Sequence, residues 1–278
     1  MNCFLRLFSS KEKKNKFGEF SIRWRVILDQ KVNYYRSLAP NEKLRFEASV
    51  LKFLNTTTIT GIKTEASEED CLLIAASAII PIFSFPNWEY HNLEEVLLYP
   101  EHFDHNHNIG SKSDTAILGM VGYGYMNGKM VISKKALHQG FSNDTDKQNT
   151  AIHEFVHLID KMDGQMDGIM VYLKEKSYVL PWLNLMDQKI REIRSSKSDI
   201  RSYGATNRPE FLAVAAEYFF ERPKMFKTNH PELYNYMELM FGQKLADKEL
   251  IKKAHRTRHF DPCPCGSGEK FRDCCMNK

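Results

Sequence analysis

In the N-terminal third of the chain, apolar residues recur every three to four positions, the period of a helix that buries one face. FSIRWRVILDQKVNYYRSL (residues 20–38) and NEKLRFEASVLKFL (41–54) follow this period and are separated by APN. A third helix is expected to begin near Ser67, whose hydroxyl can cap it with acids in the first turn, and to run into the apolar stretch ended by Pro81. HNLEEVLLYPEHF is less regular and reads as a short extended segment or helix followed by a loop. The period then changes to two. TAILGMVGYGYMNGKMVIS gives two β-prone runs joined by Asn127-Gly128, a dipeptide that tolerates positive φ and suits a tight hairpin turn. Helical spacing returns in NTAIHEFVHLIDKMDG, VLPWLNLMDQKIREIRSS and EFLAVAAEYFFERP, the last stopping at Pro223, with a loop containing SYGATNRPE before it. The pattern has no internal repeat and describes a helix-rich α+β chain.

Composition narrows the class. A chain of 278 residues, 42% hydrophobic and 27% charged, can bury a sizeable core and is not a disordered polymer. Its first residues, MNCFLRLFSSKEKKNKF, lack the long apolar region of a secretory signal. The longest apolar run, from Cys71 to Phe85, is too short to span a bilayer and contains Pro81. These features predict a cytoplasmic protein without membrane insertion. Four of the six cysteines fall in the last sixteen residues, which in that compartment suggests thiols or metal ligands rather than disulfides. Residues 251–278 also hold seven Lys/Arg against three acids, an excess equal to the formal net charge of +4.

Within NTAIHEFVHLIDKMDG, His153 and His157 are four residues apart. On a helix they project from one face a turn apart, and both imidazoles can hold one zinc ion. Glu154 stands where its carboxylate can act as general base on a metal-bound water. The bare pattern recurs by chance as two histidines and a glutamate on an ordinary half-buried helix, so the test is a third protein ligand. Asp163, six residues after His157, has the position of a metzincin third ligand, but that layout needs a glycine where Asp160 stands. Glu210, at the start of EFLAVAAEYFF, suits a gluzincin arrangement with the third ligand on a separate helix. Asp160 can accept a hydrogen bond from a ligand imidazole, whereas a carboxylate such as Asp163 near a helix end is usually solvated. His102, His105 and His107 in EHFDHNHN invite a second metal, but their spacing fixes no geometry.

Four segments occur in consistent order over residues 20–240: LIAASAIIPIFSFPNWEY, EVLLYP, HEFVH followed by LIDKMDG, and PEFLAVAAEYFF. Through them the chain resembles the MtfA family of zinc-dependent peptidases. That family in turn resembles the catalytic domain of anthrax lethal factor, which has a tyrosine seven residues before its glutamate ligand. Tyr203 and Glu210 have that spacing here. The resemblance implies a zincin-like fold in which His153, His157 and Glu210 bind a catalytic zinc, Glu154 activates water, and Tyr203 donates to the oxyanion formed from a peptide or protein substrate. A phenol aimed at developing negative charge stabilises the transition state more than the ground state. The chain departs from lethal factor at Val214, where that protein has another acid one turn after its ligand glutamate. Glu217, two turns after Glu210, can orient a ligand histidine or stand as an ion-paired glutamate.

The end of the chain, FDPCPCGSGEKFRDCC, places Cys263, Cys265, Cys274 and Cys275 in the form CxCx8CC. It resembles the SEC-C motif found at the ends of otherwise unrelated proteins, including the SecA translocation motor. Four thiolates can close a structural zinc site, and a knuckle this small depends on the metal for its folding energy. Its expected role is docking to a protein, ribosomal or nucleic-acid partner. The expected organisation is an N-terminal segment (1–19), a zincin-like metallopeptidase domain (20–250), a basic linker (251–258) and a zinc knuckle (259–278). The expected mechanism is hydrolysis by metal-activated water, with an edge strand of the hairpin pairing the extended substrate. The alternative is a regulatory protein-binding module with a vestigial peptidase site. The presence of Glu154, whose loss most simply ends catalysis, weighs against it.

Overall fold

A computed structural model describes residues 17–102, 118–122, 126–143, 146–170, 173, 176–248, 259–260, 263 and 268–274. Its fold is mixed α and β. Four strands, β1 (Thr58–Gly61), β2 (Leu93–Tyr99), β3 (Gly119–Val121) and β4 (Gly128–Ser133), form one sheet in the order β1-β2-β4-β3. β2 is parallel to both neighbours, with Val96 opposite Ile59 on one side and Met130 on the other. β3 runs antiparallel to β4 at the sheet edge, Met120 opposite Val131.

The irregular segment HNLEEVLLYPEHF supplies the inner strand β2. Leu93, Val96 and Leu98 face the main core, while Leu97 and Tyr99 join Val131 in a small apolar cluster on the other face. Apolar residues on both faces, together with a register irregularity between Leu93 and Glu95, interrupt the alternation that marks a half-buried strand. The antiparallel pair expected before the HEFVH helix is present, but Asn127-Gly128 is not its two-residue turn. The Gly122 N–H still bonds to Lys129 O at 2.9 Å, so the connection is longer, and Gly128 opens β4 with φ 80°.

The helices are α1 (Ile22–Lys31), α2 (Asn33–Arg36), α3 (Pro40–Thr56), α4 (Glu68–Ile82), α5 (Lys134–Ser142), α6 (Thr150–Asp160), α7 (Lys176–Arg194), α8 (Arg208–Glu221), α9 (Pro223–Asn229) and α10 (Pro231–Phe241), of which α5 and α6 pack on the strands β3 and β4. The first expected helix is broken in two at Val32, which is extended, and Arg36 Nη1 donates to Asp29 O at 2.6 Å beyond the break. α4 begins where expected. The Ser67 hydroxyl accepts from the Asp70 N–H and the Asp70 carboxylate accepts from the Ser67 N–H, at 3.2 and 2.8 Å. Pro81 lies in its last turn, one residue before the end.

α6 packs between α4 and α8, and every one of its residues from Ala151 to Asp160 is buried. Phe155 anchors it, its ring 5.8 Å from Phe53 and 5.2 Å from Tyr90. Among the described residues, no helix is long and apolar enough to cross a membrane.

Candidate metal centre

Two asparagine caps set the site. Asn149 Oδ1 accepts from the Ile152 N–H at 3.1 Å and starts α6, and Asn207 Oδ1 accepts from the Glu210 N–H at 2.9 Å and starts α8. His153 and His157 therefore leave the first two turns of α6 toward Glu210 in the first turn of α8. His153 Nε2 lies 3.1 Å from His157 Nε2 and 2.9 Å from Glu210 Oε2, and His157 Nε2 lies 3.4 Å from that same oxygen. A zinc ion held tetrahedrally at about 2.0–2.1 Å needs ligand atoms roughly 3.3–3.4 Å apart. Two imidazoles and one carboxylate converging to within 3.4 Å, two of the separations a few tenths of an ångström short of that spacing, are the donor set such an ion takes; a calcium ion takes six to eight oxygens.

The other nitrogen of His153 is fixed. Its Nδ1 lies 2.7 Å from Glu217 Oε1, an oxygen that also accepts from Arg201 Nη2, while Glu217 Oε2 accepts from the Asn149 N–H at 2.5 Å. The carboxylate requires a proton on Nδ1 and so turns the lone pair of Nε2 toward His157 and Glu210. Burial disfavours the imidazolium of His153, yet Glu210 and Glu217 on either side outweigh it and raise its pKa to about 10. The same histidines hold the Glu210 carboxyl well below the usual range despite its burial. This is a field that favours a cation.

Glu154 is 5% exposed, and burial pushes its carboxyl above the ordinary glutamate range. β3 passes directly over it: a methyl group added at Gly119 would sit 2.7 Å from Glu154 Cγ and Oε1. Tyr203 lies on a single 3-10 turn, Ser202–Ala205, with its ring 5.9 Å from that of His153. Half exposed, its hydroxyl is raised to about 12 by partial burial and by the Glu210 and Glu154 carboxylates. Val214, one turn after Glu210, is buried and would touch a side chain at Gly204.

The competing assignments fall elsewhere. Asp163 is outside the converging donor group, and its Oδ1 accepts from the Gln165 N–H at 2.9 Å. Asp160 is fully buried, and its two oxygens accept from the Gly168 N–H at 3.1 and 2.9 Å rather than from an imidazole. Burial lifts its pKa to about 6. His105 and His107 lie outside the described residues. In the tail, Cys263 and Cys274 are buried, and the Cys263 N–H bonds to Glu269 O at 2.7 Å, closing a loop in which Gly268 takes φ 79°. Cys265, Cys275 and the linker 251–258 lie outside the described residues. Sequence reasoning did not single out Arg201, Asn149 or Gly119 for this site.

Residues 7–242 match the model of the family described as glucose-regulated metallo-peptidase M90, and residues 261–277 match the SEC-C motif. Among similar proteins, an uncharacterized protein of Synechocystis sp. is 26% identical over 226 residues, covering 77% of this chain and 81% of that relative. Mlc titration factor A of Escherichia fergusonii is 27% identical over 223 residues, 74% of this chain and 81% of its own. Its namesake from Salmonella gallinarum is 25% identical over 232 residues, 78% and 85% respectively.

Proposed function

The chain belongs to the glucose-regulated M90 metallo-peptidase family, and we propose that it is itself a zinc-dependent peptidase, with His153, His157 and Glu210 as metal ligands, Glu154 as general base and Tyr203 as oxyanion donor. One observation carries the reading: Nε2 of both histidines and Oε2 of Glu210 converge within 3.4 Å, beside a buried carboxylate. A zinc ion in that position supplies Lewis-acid polarisation of the scissile carbonyl and an acidified water. Glu154 takes the proton of the attacking water at its carboxylate and returns it to the leaving amine, a role served by the upward shift that burial gives it. Tyr203, held in the neutral form at physiological pH, donates its O–H toward the developing oxyanion. Glu217 keeps the His153 ring in the ligating tautomer. β3, the edge strand beside Glu154, offers backbone N–H and C=O groups to an extended peptide.

In this reading residues 20–250 form the peptidase unit. Residues 259–278, with Cys263, Cys265, Cys274 and Cys275 around a second, structural zinc, form a docking module for a protein, ribosomal or nucleic-acid partner, joined by the linker 251–258. The tail's closely spaced thiols favour the reducing cytoplasm. The name Mlc titration factor A, which the Escherichia fergusonii and Salmonella gallinarum relatives carry, favours a second reading in which binding a regulator is the main task and the peptidase site is vestigial. The test is Glu154→Gln in the zinc-loaded protein, with metal content and cleavage of a peptide library measured together. Peptidase action requires cleavage by the wild type and its loss in the variant at unchanged zinc. A wild type that binds zinc and cleaves nothing leaves the binding role.

A further inference from the structure

A cavity of about 470 Å³ lies between α3 and the turn from α4 to β2, and no residue of the metal centre lines it. The volume falls within the range of small-molecule sites, roughly 300–1,000 Å³. One wall is a stripe along α3, where Arg45, Ala48, Ser49, Lys52, Phe53 and Thr56 recur at helical intervals. The opposite wall is aromatic, built from Phe83, Phe85, Trp88 and Tyr90. These belong to the end of LIAASAIIPIFSFPNWEY, a segment that contributes nothing to the metal centre.

The aromatic wall is preformed. Tyr90 donates its hydroxyl hydrogen to Ala78 O at 2.7 Å, Trp88 packs edge-on against Tyr90 at 4.6 Å, and the Phe85 N–H bonds to Ile82 O at 2.8 Å. The two cations on the α3 stripe differ. Lys52 is neutralised by Glu89 at 2.5 Å, whereas no carboxylate among the described residues pairs with Arg45. Arg45 lies over the Phe83 ring, 5.0 Å from its centroid, and donates through Nη2 to Phe83 O at 3.4 Å. Most of its five N–H donors remain for a ligand, in the planar fork that suits a carboxylate.

We propose that this cavity binds a small aromatic carboxylate, its ring against Phe83, Trp88 and Tyr90 and its carboxylate paired with Arg45. The site lies one side chain from the active helix, since Phe53 and Tyr90 both contact Phe155 of α6. The inference is independent of the peptidase assignment. It is tested by titrating zinc-loaded full-length protein with 2-naphthoate, with uncharged 2-naphthalenemethanol and with cationic 2-naphthylmethylamine.

The acid should bind at least about tenfold tighter than the alcohol, the usual scale for a charge-assisted hydrogen-bonded pair, and the amine more weakly than either. Arg45→Met should erase the advantage of the acid and leave the affinity of the alcohol unchanged. Ala48→Trp, at an exposed position on the α3 stripe, should fill the cavity and remove binding of both. Circular dichroism establishes that both variants are folded, and Arg45→Gln serves if Arg45→Met is not. Equal binding of acid and alcohol overturns the proposal. So does undiminished binding of the acid to Arg45→Met or Ala48→Trp, the result expected if the carboxylate ligates the zinc instead.

Discussion

Gly119→Ala isolates the position of Glu154 from everything else in the site. The new Cβ would stand 2.7 Å from Glu154 Cγ and Oε1 and 2.9 Å from Cδ, and its three nearest atoms all belong to that side chain. Ordinary carbon contacts are about 3.5 Å or more, so Glu154 must move by roughly 0.8 Å. Gly119 has no positive φ, and alanine is compatible with its backbone. Because the atoms that must yield belong to one buried side chain and not to the backbone, the loss of stability should be about 1–2 kcal/mol, roughly 2–8 °C in Tm for a domain of this size. A base displaced by nearly 1 Å should lower turnover by about 10- to 100-fold. The assay compares kcat, bound zinc and Tm for wild type, Gly119→Ala and Met120→Ala, whose side chain packs in the cluster on the sheet's other face. Undiminished kcat in Gly119→Ala would show that the position of Glu154 does not govern the reaction. Loss of zinc along with kcat would show that the strand, and not the base alone, had moved.

The remaining predictions separate the other groups. Glu210→Ala should sharply weaken zinc binding, whereas Asp163→Ala, outside the converging group, should leave it nearly unchanged. Glu217→Gln keeps the side chain's shape but not its charge and should lower zinc affinity by roughly 10- to 100-fold in a chelator competition, because it orients His153 from behind. Tyr203→Phe should leave metal content unchanged and reduce turnover by a factor on the order of a hundred or more, measured as kcat on a peptide substrate. Removing residues 259–278 should reduce bound zinc from two equivalents to one while small-peptide hydrolysis survives; loss of that activity in a folded protein would join the tail to the catalytic unit.

How much could be read in advance depended on whether the signal was local. α6 and α8 carry their apolar residues and their asparagine caps within a few positions, so the helices that bear His153, His157 and Glu210 were legible. β2 was not, because the register irregularity between Leu93 and Glu95 and the apolar Leu97 and Tyr99 on its second face break the alternation of a half-buried strand. α9 and α10 each begin at a proline, Pro223 and Pro231, and the first of these reads equally well as the stop of α8. Gly119 meets Glu154 across 35 positions and Arg201 meets Glu217 across 16. No periodicity in the sequence marks either pair.

Glu217 is the point at which fold and site are least separable. One of its oxygens faces His153 Nδ1 and Arg201, and the other accepts from the backbone N–H of Asn149, the residue that caps α6. A carboxylate at a helix N-terminus is favoured by the unpaired N–H groups and the dipole there, so the contact that holds the cap residue of α6 and the contact that sets the tautomer of its first histidine share one side chain. Glu210 and Glu217 also stand two turns apart on α8. A shift of α8 along its axis therefore carries the ligand oxygen and the orienting oxygen together, preserving the relation of each to His153 better than two independent elements could. By contrast, β3 and the 3-10 turn that bears Tyr203 lie on other segments and can move relative to that pair. Metal affinity should accordingly follow the packing of α6 against α8, while turnover at saturating zinc follows β3 and the Tyr203 turn.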